Sequence, residues 1–232
     1  MNSVLKKISS KLPKRFQQEL KRLHYWYQIR INNFLGDEPE YDQLETWVKQ
    51  GDWVIDVGAN IGHYAFKFSR LVGEEGRVFA FEPVIDTFEL LVANVTKFPH
   101  RNVTLFNVAA SESEMVVGME LPKLDSGLDN YYMAHISDTD ASVKVYCVPI
   151  DSFSFFKPIK FVKIDVEGHE LSTLKGMKKL ILRDHPIIVA EGHTDDVVSF
   201  LSDLGYSNRR FEKSPNTFYE YRHGSPTGES PI

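Results

Sequence analysis

Residues 56–62, with the sequence DVGANIG, constrain the fold of this chain more than any other stretch. An apolar, β-branched run precedes them at residues 53–55, which is typical of a buried strand. The segment after them has apolar residues that suit a helix with one buried side: Tyr64, Phe66, Phe68 and Leu71. Because glycine lacks a Cβ, a turn of this kind lets backbone N–H groups approach a ligand closely. The stretch therefore predicts the first half of a βαβ unit with a ligand at its turn.

The ligand expected at this turn is a nucleoside that carries a positive charge. Gly58 and Gly62 do not form the G-x-G-x-x-G fingerprint of dinucleotide sites. The carboxylate of Asp56 is unfavourable beside a pyrophosphate but favourable beside a cation. Glu82 ends the next predicted strand, twenty residues after Gly62, and an acid there can accept both hydroxyls of a ribose. Together these features predict S-adenosylmethionine as the cofactor.

Five short motifs resemble the successive motifs of the FkbM-type methyltransferases: DVGANIG at 56–62, FEP at 81–83, KIDVEGHE at 163–170, LKG at 174–176 and AE at 190–191. The resemblance extends from about Glu38 to about Tyr221. It implies an α/β fold, the Rossmann-like, doubly wound and mostly parallel sheet of class I methyltransferases. It also implies an S-adenosylmethionine-dependent enzyme that O-methylates a hydroxyl on a sugar, glycan precursor or related natural product. The expected acceptor is therefore a small molecule or a glycan.

Acidic side chains stand at the predicted carboxyl ends of four strands, where ligands gather in open α/β sheets: Asp56, Glu82, Asp165 and Glu191. We assign the first two to the cofactor. Further cofactor contacts are predicted at Gly58, Asn60, Gly62, His63, Asn107 and Ala109. Asn60 is expected at the methionine end of the cofactor. Fold-level analogy suggests that Asn107 and Ala109, together with Ser111, border the adenine.

Methyl transfer to a hydroxyl requires removal of its proton, so a general base is expected in the same site. The predicted catalytic residues are Asp165, Glu167, His169 and Glu191, and His193 is a further candidate. In the FkbM-type family the stretch after the fourth strand borders the cofactor and the acceptor. Asp165 and Glu167 match the pattern of that stretch, whereas His169 occupies a variable position.

The sequence also leaves open other interpretations of the metal content and of the reaction. Asp165, Glu191 and His193 offer ligands for Mg²⁺, but no tight ligand motif accompanies them, so we assign no metal site. The same cofactor site would serve a small-molecule N-methyltransferase or a non-catalytic cofactor-binding scaffold in a biosynthetic complex. An NAD-dependent oxidoreductase is disfavoured by the glycine spacing and by Asp56.

The rest of the chain predicts alternating strands and helices with one interruption. Residues 115–121 and 142–148 are predicted to form an inserted antiparallel β-hairpin around a long loop. That loop contains Tyr131 and Tyr132, and we interpret it either as a substrate-facing lid or as a surface excursion. Single helices are predicted over residues 170–182 and 197–204, and a closing strand over residues 218–221.

Charge divides the chain into unequal parts. Residues 1–35 contain eight lysines and arginines against one glutamate, whereas the remainder contains nineteen basic and thirty-one acidic residues. We therefore predict a basic amphipathic helical extension at residues 1–37, a methyltransferase domain at 38–222 and a disordered tail at 223–232. The helical segment is expected to pack on its own domain, to self-associate or to touch a membrane peripherally. The acidic body argues against nucleic acid as a partner.

Composition indicates the compartment. No apolar run is long enough to span a bilayer, and no secretory signal is visible. Cys147 is the single cysteine, so an internal disulfide is excluded and a buried core position is expected. We expect a cytoplasmic protein, with membrane association through residues 1–35 as the alternative.

Overall fold

The computed structural model describes residues 13–123, 133–137, 141 and 143–222. The strands, in chain order, are β1 (Trp53–Val57), β2 (Arg77–Phe81), β3 (Val103–Phe106), β4 (Ala109–Ala110), β5 (Met115–Glu120), β6 (His135–Ser137), β7 (Val143–Val148), β8 (Ile159–Ile164), β9 (Ile187–Glu191), β10 (Tyr206–Arg210) and β11 (Asn216–Tyr221). The helices are α1 (Lys14–Arg30), α2 (Leu44–Trp47), α3 (His63–Val72), α4 (Ile85–Val95), α5 (Glu170–Lys175), α6 (Lys178–Asp184) and α7 (Asp195–Asp203), with 3-10 turns at Pro39–Tyr41 and Ile150–Ser152.

A seven-stranded sheet forms the centre of the molecule, in the order β10-β11-β9-β8-β1-β2-β3. Strands β3, β2, β1, β8 and β9 pair in parallel, and β11 is antiparallel to both β9 and β10. The predicted doubly wound, mostly parallel sheet is thus confirmed. The prediction missed β10, whose sequence YSNRR has little apolar alternation because three of its residues are exposed at the sheet edge.

Each face of this sheet carries its own hydrophobic core. Val54 of β1 packs with α3 and α4 on one face, and Ile55 and Val57 pack with α5, α6 and α7 on the other. Asp56 and Lys163 occupy neighbouring positions on β1 and β8, on the α3 face. Two polar side chains therefore enter an otherwise apolar layer near the carboxyl end of the strands, and this is where the site lies.

The insertion after β3 is a second sheet rather than a simple hairpin. Strands β5 and β7 are antiparallel, as predicted, but β4 and β6 join them in the order β4-β7-β5-β6. Its inner side has a small core of its own that includes Met119, Val145 and the buried Cys147. This sheet faces the carboxyl ends of β1 and β2 across a cavity.

The prediction of a single helix over residues 170–182 was wrong, because the chain forms two helices, α5 and α6, with a break at Gly176. A Cβ on Gly176 would lie 1.9 Å from the carbonyl oxygen of Ser111, so only glycine fits. The close contact fastens α5 against the chain that follows β4. It positions the turn after β8 beside the second sheet.

Helix α1 packs on α4, and the Arg22 guanidinium lies 3.5 Å from the Glu89 carboxylate. The apolar side of this amphipathic helix faces outward over most of its length: Phe16, Leu20, Leu23 and Tyr27 are exposed, and Phe34 beyond the helix is buried. Packing on its own domain therefore uses the other side of the helix. Membrane contact and self-association through this segment stay predictions.

None of the helices in the described part of the chain is both long and apolar enough to cross a bilayer. Several predictions fall outside the described residues. These are the loop with Tyr131 and Tyr132, the first twelve residues of the basic extension and the tail at 223–232.

Candidate active site

A cavity of about 370 Å³ lies at the carboxyl ends of β1, β2, β8 and β9, between these strands and the second sheet. Ten of the twelve predicted site residues line it: Asp56, Gly58, Asn60, His63, Glu82, Ala109, Asp165, Glu167, His169 and Glu191. The sequence-based idea that four strand ends bring their acids together agrees with this placement. Gly62 and Asn107 lie outside the lining.

The turn after β1 depends on backbone conformations that few residues adopt. Gly58, Asn60 and Gly62 all have positive φ, at 76°, 49° and 98°. A Cβ on Gly58 would lie 1.8 Å from the carbonyl oxygen of Asp165, and one on Gly62 would lie 2.7 Å from Leu91. The glycines thus permit close packing of the β1 turn on the β8 turn and on α4. Gly62 lies outside the cavity lining, and its contact with the cofactor stays a prediction.

Glu82 is fixed by backbone groups. Its Oε2 accepts a hydrogen bond of 2.9 Å from the Asn60 N–H, and its Oε1 accepts one of 2.9 Å from the Val84 N–H. Burial raises the pKa of Glu82 to about 7, although these two bonds lower it. The carboxylate is held rigidly at the cavity wall, and each oxygen keeps a lone pair for a ribose hydroxyl.

Asn107 supports this arrangement from outside the lining. Its amide donates to the carbonyl oxygens of Glu82 at 2.9 Å and Pro83 at 3.0 Å. These contacts hold the loop after β2, and the position of Asn107 beside an adenine stays a prediction. Asn60 also uses its side-chain oxygen locally, because it accepts a hydrogen bond of 2.8 Å from the Ile61 N–H.

Asp56 is 1% exposed, and its Oδ2 has no hydrogen-bond partner among the described residues. Burial raises its pKa to about 7, and the charge of nearby Lys163 works in the opposite direction. A buried carboxylate oxygen without a partner is costly unless a ligand meets it. Because this oxygen belongs to a residue that lines the cavity, the site fits a cationic cofactor such as S-adenosylmethionine.

A buried lysine links the two halves of the site. Lys163 is 1% exposed, and its amine lies 3.3 Å from Asp165 Oδ2 and 3.3 Å from Asn216 Oδ1. The Asn216 amide in turn donates to Glu40, and the Lys163 amine lies 5.1 Å from the Tyr64 ring centre. Lys163 was not among the predicted site residues, although a lysine inside an apolar strand is unusual enough to indicate one.

Asp165 and Glu191 form a carboxyl pair at the ends of β8 and β9. Burial raises the pKa of Asp165, but the charge of Lys163 and a hydrogen bond from Glu191 outweigh it and leave the pKa below its usual range. Burial and the charge of Asp165 raise the pKa of Glu191 to about 8. The opposite shifts are those of a pair that shares one proton, and the nearby charge of Lys163 favours Asp165 as its ionised member.

Glu167 is the third acid of this group, and its carboxylate oxygen lies within 4.8 Å of those of Asp165 and Glu191. Such a spacing suits a divalent cation, but Lys163 and the shared proton already balance part of the charge. The metal set considered from the sequence included His193 instead of Glu167. The His193 ring lies outside the lining, with Nδ1 3.4 Å from the Thr217 hydroxyl.

Two histidines line the cavity in neutral form. Burial lowers the pKa of His63 to about 4, and its ring packs 4.4 Å from that of Phe34. Burial also lowers the pKa of His169, whose Nε2 lies 3.0 Å from the Ser111 hydroxyl. A neutral imidazole can act as an acceptor but contributes no positive charge to the cavity.

The parallel sheet, its antiparallel β11 and the acid-lined cavity at the strand ends define a class I methyltransferase fold. The Methyltransferase FkbM domain family matches residues 56–207. The hexuronic acid methyltransferase AglP of Haloferax volcanii is 30% identical over 186 residues, which are 77% of this chain and 73% of that protein. The chain belongs to the FkbM methyltransferase family.

Two further comparisons cover shorter shares of the proteins concerned. A probable cobalt-precorrin-6B C(15)-methyltransferase of Sulfurisphaera tokodaii is 33% identical over 79 residues, 34% of this chain and 38% of that protein. The crystal structure of a methyltransferase FkbM from Methylobacillus flagellatus KT superimposes with a TM-score of 0.54 at 18% identity. It matches 73% of this chain but only 43% of its own length, so this likeness supports the fold alone.

Proposed function

We propose that this methyltransferase transfers a methyl group from S-adenosylmethionine to a hydroxyl of a sugar, a glycan precursor or a related natural product. The observation that carries the proposal is the position of Asp165, which lies 3.3 Å from the amine of Lys163 and lines the same cavity as Asp56 and Glu82. An O-methyltransferase needs a base beside its cofactor. The name of the Haloferax volcanii relative, a hexuronic acid methyltransferase, supports a sugar as the acceptor.

Two acids at the ends of β1 and β2 would hold the cofactor. Asp56 Oδ2, buried and without a partner, would meet a positive group of the cofactor, and Glu82 would accept the ribose hydroxyls. When bound, the cofactor supplies a methyl group that is already activated by its positively charged sulfur. The task left to the protein is alignment of the acceptor and removal of its proton.

The acid pair would perform that removal. Asp165 is ionised and held by Lys163, so it would accept the proton of the acceptor hydroxyl as the new carbon–oxygen bond forms. Glu191, protonated at neutral pH, would donate a hydrogen bond to Asp165 and keep it in place. A metal is not needed for this step, and full activity after treatment with EDTA is expected.

A screen of hydroxylated acceptors with radiolabelled S-adenosylmethionine tests the proposal. The panel contains neutral sugars, amino sugars, uronic acids and their glycosides, and the methylated position is mapped by mass spectrometry and NMR. We expect a methyl ether on a sugar carbon. A methyl group on nitrogen, or cofactor binding without transfer to any acceptor in the panel, would contradict the proposal.

A further inference from the structure

The charge of the cavity is strongly one-sided. Seven acidic residues line it: Asp37, Glu38, Asp56, Glu82, Asp165, Glu167 and Glu191. Among the described lining residues, Lys163 is the single lysine or arginine. The two histidines of the lining are neutral because burial lowers their pKa values. A second substrate must therefore enter a pocket with a large excess of carboxyl groups.

The one lysine cannot receive an anionic substrate. Its side chain is 1% exposed, and its amine is already close to Asp165, Asn216 and the Tyr64 ring. An anion would need a charged partner with free donors at the cavity surface. Lys163 offers its charge inward, to Asp165, and not to the mouth of the cavity.

Two carboxylate oxygens of the lining are buried and have no hydrogen-bond partner among the described residues. One is Asp56 Oδ2, assigned above to the cofactor, and the other is Glu38 Oε2. Burial first, and the charge of Glu38 to a smaller degree, raise the pKa values of Asp56 and Tyr64, so the field of Glu38 reaches into the cavity. Glu38 Oε2 is thus the second buried carboxylate oxygen of the lining without a partner among the described residues, at the side where residues 36–38 border the cavity.

We propose that the acceptor carries an amine near the hydroxyl that is methylated, as an amino sugar does, and that uronic acids and phosphorylated sugars bind poorly. This inference rests on the proposed function, because it concerns the second substrate of the same cavity. Glu38 and Glu167 are the specificity-determining residues. Met119, Met133 and Ile136 supply an apolar wall that suits the C–H face of a sugar ring. The chain would then differ in substrate from its relative that is named for hexuronic acid.

The test compares three probes that differ in one group: glucosamine, glucose and glucuronic acid. Their dissociation constants for the full chain saturated with S-adenosylhomocysteine are measured at pH 7 by NMR titration. We expect glucosamine to bind at least about 10-fold more tightly than glucuronic acid, with glucose between them. Equal affinity, or tighter binding of glucuronic acid, would overturn the proposal.

Variants identify the responsible carboxylates. Glu38→Gln is expected to reduce the preference for glucosamine over glucose about 3-fold or more, and Glu167→Gln provides a second variant if the first fails to fold. Glu74→Gln makes the same change of charge in the turn after α3, at the opposite end of that helix from the cavity, and should leave the preference unchanged. A preference that survives both cavity variants would also overturn the proposal.

The binding order does not depend on where a methyl group is placed. If glucosamine binds best but the methyl group is found on nitrogen, the O-methylation proposal fails and the charge proposal holds. If a uronic acid is O-methylated and binds best, the charge proposal fails and the O-methylation proposal holds. The two proposals are therefore separable by one titration and one mapping experiment.

Discussion

The cavity contains two pairs of carboxyl side chains, and their pKa values are shifted in different ways. Asp56 and Glu82, at the ends of β1 and β2, are both almost fully buried, and burial raises the pKa of each to about 7. Asp165 and Glu191, at the ends of β8 and β9, diverge: the pKa of the first is lowered and that of the second is raised to about 8.

Their neighbours explain the difference. In the first pair, Glu82 accepts hydrogen bonds from two backbone N–H groups, and Asp56 has a buried oxygen without a partner among the described residues. This arrangement suits a bound cation. The second pair lies beside the amine of Lys163, which favours ionisation of Asp165. Parallel strand ends thus bring acids together, and we expect the side chains next to each acid to determine whether it binds the cofactor or accepts a proton from the acceptor.

The largest expected effect separates the two members of the second pair. Asp165→Asn removes the ionised base and should lower kcat by roughly 10²- to 10⁴-fold. Glu191→Gln keeps a hydrogen-bond donor next to Asp165 and should lower kcat by less than about 10-fold. Single-turnover rates with saturating S-adenosylmethionine measure both. Equal losses in the two variants would show that the pair is not divided as described.

The second largest expected effect is on cofactor affinity and concerns Asp56 of the first pair. Asp56→Asn should weaken binding of S-adenosylmethionine by about 10- to 100-fold, because a hydrogen bond to a charged group contributes roughly 1.5–3 kcal/mol. Calorimetric titration gives the dissociation constant, with Glu74→Gln as the charge-matched control. Wild-type affinity in Asp56→Asn would remove Asp56 from the cofactor site.

Removal of the Lys163 amine should reduce the difference between the two carboxyl pairs, because it raises the pKa of Asp165. In Lys163→Met, Asp165 loses the cation that lowers its pKa, so the rise of kcat with pH should move to higher pH. Lower activity at neutral pH should then recover at alkaline pH. A loss of activity that is the same at every pH would indicate a purely structural role for Lys163.

The smallest effect concerns stability without the cofactor. The folded-state pKa values of Asp56 and Glu82, about 7, lie above the usual range, so the folded protein binds their protons more tightly than the unfolded chain does. Their contribution is complete below about pH 4 and is lost as the pH rises through 7. The Tm should therefore fall by a few degrees between pH 5.5 and pH 8.

The matched variant for this measurement is Asp56→Asn, which does not titrate. Its Tm should depend less on pH over the same range than that of the wild type. Parallel curves for the two proteins, followed by scanning calorimetry, would mean that Asp56 does not bind a proton in the folded state as described.

Sequence patterns predicted the sheet and most of the cavity lining because both depend on residues that are close together in the sequence. Asp56, Glu82, Asp165 and Glu191 each follow an apolar run directly, so their strand ends could be located without tertiary information. The split at Gly176 could not, since it depends on the carbonyl oxygen of Ser111 in a distant part of the chain.

The partners of the acids were also beyond the sequence. Lys163 contacts Asn216, which lies 53 positions later, and Asn216 contacts Glu40, which lies 176 positions earlier. No local period connects these residues, because they meet only after β11 pairs with β9 and the turn at Pro39–Tyr41 packs on α3. The same applies to Asn107, whose hydrogen bonds to the loop after β2 give it a supporting position that its own stretch does not reveal.

The most direct test of the account is the proton balance of cofactor binding. S-adenosylmethionine is titrated into the protein at pH 6.5 in two buffers of different ionisation enthalpy, with wild type and Asp56→Asn compared. A cation that meets Asp56 should expel the proton that burial favours, so the wild type should release protons and the variant should release clearly fewer. Binding of the wild type without proton release would contradict the assignment of Asp56 to the cofactor.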